Sequence, residues 1–358
     1  MQHSAAFLFV KKHNISVRSY IILNKSNLRH NYFEIKTKTK KEIISVIKAN
    51  AYGHGIKEIS KELSYMNCPF FVVASLQEAI TTRKNLIYVP ILLLENTSDL
   101  RVILSLKITL AITSMEQLIT LSGTNYPIMI QLCINIGMNR EGILPEEVPV
   151  ALETIKKSKL KLMGIYGHHS GSNKYEIECE ELNTALSSFE QRIFFHHKAT
   201  PTLSLKDINE QDKYLRIGGA LYGLSKIDGF DLKPVLFLNA PICYIKEIEE
   251  NTSIGYDDGS ISKTSGVLVT IPFGYGDGWS KRLSILCYYK GKIYHSCGGR
   301  MMNHTLFIFD KESDPKIGDD VELIGPHLSV FDLAKEYDMI PYEVTTLLSS
   351  QLKRIVEK

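Results

Sequence analysis

Ser45-Val46-Ile47-Lys48-Ala49-Asn50-Ala51-Tyr52-Gly53-His54-Gly55 is an apolar strand running straight into a lysine, an aromatic residue and two glycines. Lys48 is the only formal charge in the stretch. A lysine leaving an apolar strand loses hydration, which lowers its pKa. Such an amine can form an imine with a carbonyl cofactor. The glycines let the backbone turn close to a ligand. The competing reading is a surface lysine whose stem lies along the strand end while its charge stays in water.

Outward from this stretch, short apolar runs alternate with helix-like segments. The runs are Ile43 to Ile47, Phe70 to Ala74, Pro90 to Leu94, Ile108 to Ile112, Ile128 to Ile134, Leu160 to Tyr166, Thr202 to Leu205 and Leu215 to Ala220. Between them lie amphipathic stretches such as Ile56 to Met66 and Gln77 to Lys84. Buried parallel strands read as continuous apolar runs, and helical crossovers fit the spacing. Eight strand-helix units predict an α/β fold, a (β/α)8 TIM-type barrel with its site at the strand C-termini. Lys48, His168 and Arg216 all fall at or near run ends.

After Lys233-Pro234 the texture changes to short β-rich runs, such as Val267 to Ile271 and Gly291 to Tyr294. The turn signals Asp257-Asp258-Gly259 and Gly276-Asp277-Gly278 separate them. The division expected is an N-terminal segment at 1–19, a barrel at 20–230 and a mostly β C-terminal domain at 231–358. Ser16 to Leu23 alternates like a strand and is expected to pack on the β domain.

A chain of 358 residues suits a barrel plus a smaller partner domain. A net charge of +3 is too small to argue for nucleic acid, and no aromatic residues interleave with the basic run Lys36 to Lys41. Six scattered cysteines contain no Cys-x-x-Cys pair, so no metal site is expected, and they fit a reducing compartment. Ala5 to Val10 lacks a signal peptide's layout, and no apolar stretch spans a bilayer. The expected location is cytoplasmic.

Lys48 to Gly55 resembles the cofactor-lysine motif of alanine racemases, which use pyridoxal 5'-phosphate (PLP). Further segments follow in that family's order: Ile136-Gly137-Met138-Asn139-Arg140, Gly164 to His168, Arg216 to Gly223, Gly255-Tyr256, Gly274 to Gly278 and Ile340-Pro341-Tyr342-Glu343. The resemblance implies a racemase of L- and D-alanine. Lys48 would be both the cofactor attachment point and one base, and Tyr256 the other. Without the resemblance, Tyr256 reads as a hairpin tyrosine beside a turn. A tyrosine hydroxyl is a poor base at neutral pH without help from its neighbours.

The resemblance makes His168 a link from the tyrosine to Arg216, the arginine that would face the cofactor's ring nitrogen. His169 reads instead as a satisfied core residue, and His196-His197 as a polar, helical surface pair. Gly218 and Gly219 would cradle the phosphate, a use common after the last barrel strands. Ser204 could donate a hydroxyl hydrogen bond, and Tyr52 and Tyr342 resemble phosphate-contacting tyrosines. Arg140 and Met302 resemble substrate-contacting residues. The family's active site is shared across a homodimer, which makes a second copy the implied partner. Wall-precursor supply is the family's role.

Three positions depart from the family. Cys133 stands where many members carry a carbamylated lysine, and Asn135 replaces an aspartate. Arg140 must therefore be oriented by something else, such as a bound chloride. Arg300-Met301-Met302-Asn303 is one residue shorter than the family's segment. These changes lie at the substrate end, so serine or a broader range of amino acids is the alternative substrate. A PLP-dependent decarboxylase and a non-catalytic PLP-binding protein are the rival readings. Neither gives a reason for Gly255-Tyr256.

Overall fold

A computed structural model describes residues 18–85, 87–169, 171–187, 189, 194–205, 213–256 and 261–357. The chain divides into two compact units, one of residues 25–235 and one of residues 1–24 with 236–358. The first strand, β1 (Tyr20–Asn24), belongs to the second of these, although the barrel was expected to begin at residue 20. Asp257-Asp258-Gly259 lies outside the described residues.

The larger unit is a closed barrel of eight strands, each parallel to its neighbours. They are β2 (Glu42–Val46), β3 (Phe71–Val73), β4 (Ile91–Leu93), β5 (Ile108–Ile112), β6 (Met129–Ile134), β7 (Lys161–Gly167), β8 (Phe194–Ala199) and β9 (Tyr214–Ile217). Pairing of β2 with β9 closes the ring, Glu42 opposite Tyr214 and Ile44 opposite Arg216. The interior packs Ile44, Val46, Val72, Leu92, Ala111, Cys133 and Tyr166 together.

Helices cover the outside: α1 (Lys25–Thr39), α2 (Ile56–Ser64), α3 (Leu76–Lys84), α4 (Leu100–Ser105), α5 (Met115–Ser122), α6 (Val148–Lys156) and α7 (Tyr175–Leu186). α2 shows the logic: Ile56, Ile59, Ser60 and Leu63 are spaced to fall on one buried face. The start of α3 is fixed by a capping box between Ser75 and Glu78.

One expected strand is corrected. Thr202 to Leu205 is not the seventh barrel strand; Phe194–Ala199 is, and Thr200–Thr202 forms a short 3-10 turn after it. His196 and His197 are therefore neither helical nor on the surface. Both lie in β8 and are 1% exposed.

Among the described residues, the smaller unit is one nine-stranded sheet. Its strands are β1, β10 (Leu236–Pro241), β11 (Tyr244–Ile248), β12 (Gly266–Ile271), β13 (Leu286–Tyr289), β14 (Lys292–Cys297), β15 (Thr305–Phe309), β16 (Asp320–Ile324) and β17 (Lys353–Glu357). They lie in the order β11-β12-β15-β14-β13-β16-β10-β1-β17. β1 pairs antiparallel with β10 and parallel with β17, which ties residues near the start of the chain into the C-terminal sheet. Helices α8 (Val330–Glu336) and α9 (Pro341–Thr346) complete the unit. Among the described residues no helix is long and apolar enough to cross a membrane.

Candidate active site

Lys48 leaves β2 at the C-terminal mouth of the barrel. The four residues after it, Ala49, Asn50, Ala51 and Tyr52, all have φ between 51° and 54°. Left-handed backbone costs a non-glycine residue about 1–2 kcal/mol, so this turn is held by its surroundings. Asn50 does part of the holding. Its amide N–H donates to Glu78 Oε1 at 3.1 Å, and its side-chain oxygen accepts from Ile56 N at 2.8 Å. The Lys48 amine is half-buried, and burial lowers its pKa, aided by the charges of Arg140 and Arg216.

Arg216 is the fixed point of the mouth. Its guanidinium is buried and donates three hydrogen bonds: to His196 Nδ1 at 2.8 Å, His168 Nδ1 at 2.7 Å and Gly167 O at 2.9 Å. Its carbon lies 5.2 Å from the Tyr166 ring centre, and Tyr166 stacks on His196. Because Arg216 donates to both histidines, each presents a bare Nδ1. His196 then donates its Nε2–H to Gln131 Oε1 at 2.9 Å, which fixes its tautomer. Burial and the facing Arg216 drive the His168 pKa down to about 3, so its imidazole is neutral. His168 and Arg216 thus meet as the sequence suggests. His196 and Gln131 were missed, although a glutamine inside the apolar run Ile128 to Ile134 was a usable signal.

PLP, the cofactor implied by the resemblance, fits this mouth by a close-approach criterion. A Cβ on Gly218 would stand 2.2 Å from the Tyr52 hydroxyl oxygen and 2.7 Å from Cζ. Only glycine lets that hydroxyl reach the backbone after β9. At the end of the neighbouring β8, the buried Thr200 hydroxyl has no partner among the described residues, as an anion-facing donor would. Ser204 is corrected. It is exposed and lines a groove on the outer wall with Lys38, Thr39 and Asp228, beside the start of β2. The misplaced seventh strand had carried the hydroxyl donor several residues too far, and Thr200 occupies the strand end instead.

Arg140 lies in the loop after β6. Burial raises the Cys133 thiol to about 11, so it supplies no negative charge. The anion beside Arg140 is Glu141, whose Oε1 accepts from Nη2 at 3.0 Å and Nε at 3.3 Å. Asn135 closes the same loop. Its side-chain oxygen accepts from Asn139 N at 3.0 Å, and its amide donates to Asn139 Oδ1 at 3.2 Å. An aspartate could not make the second bond.

In the sheet unit, Tyr256 is 66% exposed and Met302 56% exposed, while Tyr342 in α9 is half-buried. Glycines set the first two. A Cβ on Gly299 would lie 3.2 Å from Tyr256 O, and one on Gly274 would lie 2.5 Å from Met302 O. Gly276 N donates to Met302 O at 2.8 Å. A Cβ on Gly255 would lie 3.3 Å from Met301 Cε, so the two segments meet on this unit.

Comparison with known proteins gives a consistent result. The family model for the alanine racemase N-terminal domain matches residues 23–226, and that for the C-terminal domain matches residues 235–356. The alanine racemase of Pasteurella multocida is 30% identical over 91% of this chain and 94% of its own. The solved alanine racemase of Clostridium difficile superposes with a TM-score of 0.88 at 26% identity, covering 96% of this chain and 97% of that one. An alanine racemase from Bartonella henselae, solved with covalently bound pyridoxal phosphate, shares the fold at a TM-score of 0.83 and 22% identity. It covers 96% of this chain and 100% of its own.

Proposed function

The chain belongs to the alanine racemase family, and from that premise we propose that it interconverts L-alanine and D-alanine with PLP, using Lys48 and Tyr256 as the two acid–base groups. The observation that carries the reading is the pairing of a half-buried amine of lowered pKa with a buried arginine framed by two neutral histidines. The covalent cofactor of the Bartonella protein supports PLP as the group held here.

PLP, when bound, disperses the charge left as the Cα proton departs. The chain's own groups do the rest. Lys48 holds the cofactor and moves a proton on one face of Cα; Tyr256 moves one on the other. Arg216 keeps its proton essentially always, so it cannot protonate the ring nitrogen it would face. Limiting charge delocalisation in this way disfavours transamination. Tyr52, Gly218, Gly219, Thr200 and Tyr342 would hold the phosphate. Arg140, steadied by Glu141, would take the substrate carboxylate, and Met302 would border the substrate.

Tyr256 and Met302 are proposed to serve the partner subunit of a homodimer with shared sites. Their exposure supports this, since each is available to a neighbouring chain. The physiological role proposed is supply of D-alanine for peptidoglycan in the cytoplasm.

The test follows Cα deuterium exchange and optical rotation with each alanine enantiomer. The parent should racemise both. Lys48→Ala should lose the visible absorbance band and the activity. Tyr256→Phe should keep the band yet lose exchange from one enantiomer far more than from the other. Equal loss from both enantiomers would overturn the two-base assignment, and faster turnover of serine would replace the substrate.

A further inference from the structure

The two histidine pairs point in opposite directions. His196 and His197 are successive residues of β8 and so face opposite sides of the sheet, and His168 and His169, just past the end of β7, diverge in the same way. His168 and His196 face the barrel interior and touch Arg216. Their sequence neighbours His169 and His197 meet on the other side, beneath α7. There His169 Nε2 lies 2.7 Å from His197 Nδ1. Cys179, in α7, completes a group whose ligand atoms all lie within 4.8 Å of one another. His169 is 8% exposed, Cys179 3% and His197 1%.

A further contact marks the cluster as more than packed polar side chains. Glu178, 2% exposed, places Oε2 2.8 Å from His169 Nδ1. A carboxylate on one imidazole nitrogen fixes the proton there and leaves the other nitrogen as a lone-pair donor. Metal-bound histidines are oriented in this way almost without exception. Here the freed Nε2 points at the second histidine. We propose that His169, His197 and Cys179 form a structural site for a borderline-soft divalent ion, zinc(II) by preference, with Glu178 as the carboxylate that orients His169.

The chemistry balances. Binding releases the Cys179 thiol proton, and His197 shifts its proton from Nδ1 to Nε2. Two neutral imidazoles, a thiolate, the Glu178 carboxylate and a divalent cation then sum to zero charge. Zinc takes nitrogen at about 2.0–2.1 Å and sulfur at about 2.3 Å in a tetrahedron. Its two nitrogens stand about 3.3 Å apart by that geometry, so the imidazoles must separate slightly from their present contact. A fourth position is left for solvent or another donor. The Tyr175 ring lies 4.6 Å from that of His169 and the three donors are buried, so the site is shielded from bulk water and suited to holding elements together. It would clamp α7 to the ends of β7 and β8, next to the residues that frame Arg216. The cysteine spacing gave no hint, because the three donors come from separate segments and the fold alone gathers them.

The test uses the full chain, purified without chelator and without a histidine tag, and does not depend on racemase activity. Bound zinc is measured by plasma mass spectrometry, and chelator-treated protein is titrated with cobalt(II). The proposal expects about one equivalent of ion per chain and a thiolate-to-cobalt charge-transfer band that zinc abolishes. Cys179→Ser should remove the band, and Glu178→Gln should weaken binding about 10–100-fold. Zinc should raise the melting temperature of the parent and not that of Cys179→Ser. Absence of the band in the parent, or its survival in Cys179→Ser, would overturn the proposal. If Cys179→Ser fails to fold, X-ray absorption of the zinc-loaded parent decides. Two imidazole nitrogens and one sulfur support the site; a sulfur-free shell sinks it.

Discussion

Gly218→Ala isolates one close contact. The new methyl carbon would stand 2.2 Å from Tyr52 Oη, 2.7 Å from Cζ and 3.1 Å from Cε2. The ring must retreat by about 1 Å to restore ordinary contact. It cannot retreat freely, since it packs against Tyr222 with ring centres 5.1 Å apart. Tyr222 is fully buried and bonded through its hydroxyl to Val46 O at 2.8 Å. Overpacking of this kind costs about 1–3 kcal/mol. A lost hydrogen bond to a charged phosphate costs about 1.5–3 kcal/mol, or roughly 10–150-fold in affinity. Urea unfolding of the cofactor-free protein reads the first quantity, and PLP titration by fluorescence reads the second. In a Tyr52→Ala background, which loses the ring's own packing, Gly218→Ala should cost no further stability, while affinity stays low. Unchanged stability and affinity in the single variant would refute the close approach and the phosphate role together.

Other expected outcomes follow from the same groups. Arg216→Lys cannot serve His168, His196 and Gly167 O at once, and should lose about 2–4 kcal/mol in urea unfolding. Ala49→Gly should stabilise the protein by about 1 kcal/mol, because Ala49 is exposed and glycine adopts its φ of 51° without strain. Cys68 and Cys133, both pushed up to about 11 by burial, should resist alkylation in the native protein at pH 9 but not in urea, as read by mass spectrometry. Their folded pKa values lie above the unfolded one, so their stabilising contribution is complete below pH 9.0 and fades as pH rises through about 11. A flat stability profile across that window in the parent, relative to Cys133→Ala, would count against the Cys133 assignment.

Much of the barrel was legible because its strands are buried on both faces and read as apolar runs, as Ile108–Ile112 does. Phe194–Ala199 was not, and the reason is physical. Its His196, His197 and Lys198 are polar yet 1–2% exposed. His196 has Arg216 and Gln131 as partners, and His197 has His169. Partners supplied by other strands make such residues tolerable in a core, and a single chain read in order does not show them. The same error put the expected hydroxyl donor at Ser204, whereas Thr200 is the hydroxyl that follows the strand. The Lys48 motif was legible as a motif, but its left-handed backbone was not, because Ala, Asn, Ala and Tyr do not announce a conformation that glycine would. Glu141, adjacent to Arg140, could have been paired with it from the sequence alone.

Closure of the barrel between β2 and β9 has a consequence during synthesis. The strand that delivers Lys48 is made early, yet its lateral partner at residue 214 leaves the ribosome much later. Until that partner arrives, β2 has one free edge, and Arg216, Gly218 and Tyr222 do not exist to hold the turn. A nascent chain therefore carries the lysine without the pocket. On the proposed function, cofactor capture would wait for the ninth strand, and bound PLP would then report completed barrels. Long-range pairing of this kind also slows folding, so the interval before capture is when the chain is most exposed to aggregation.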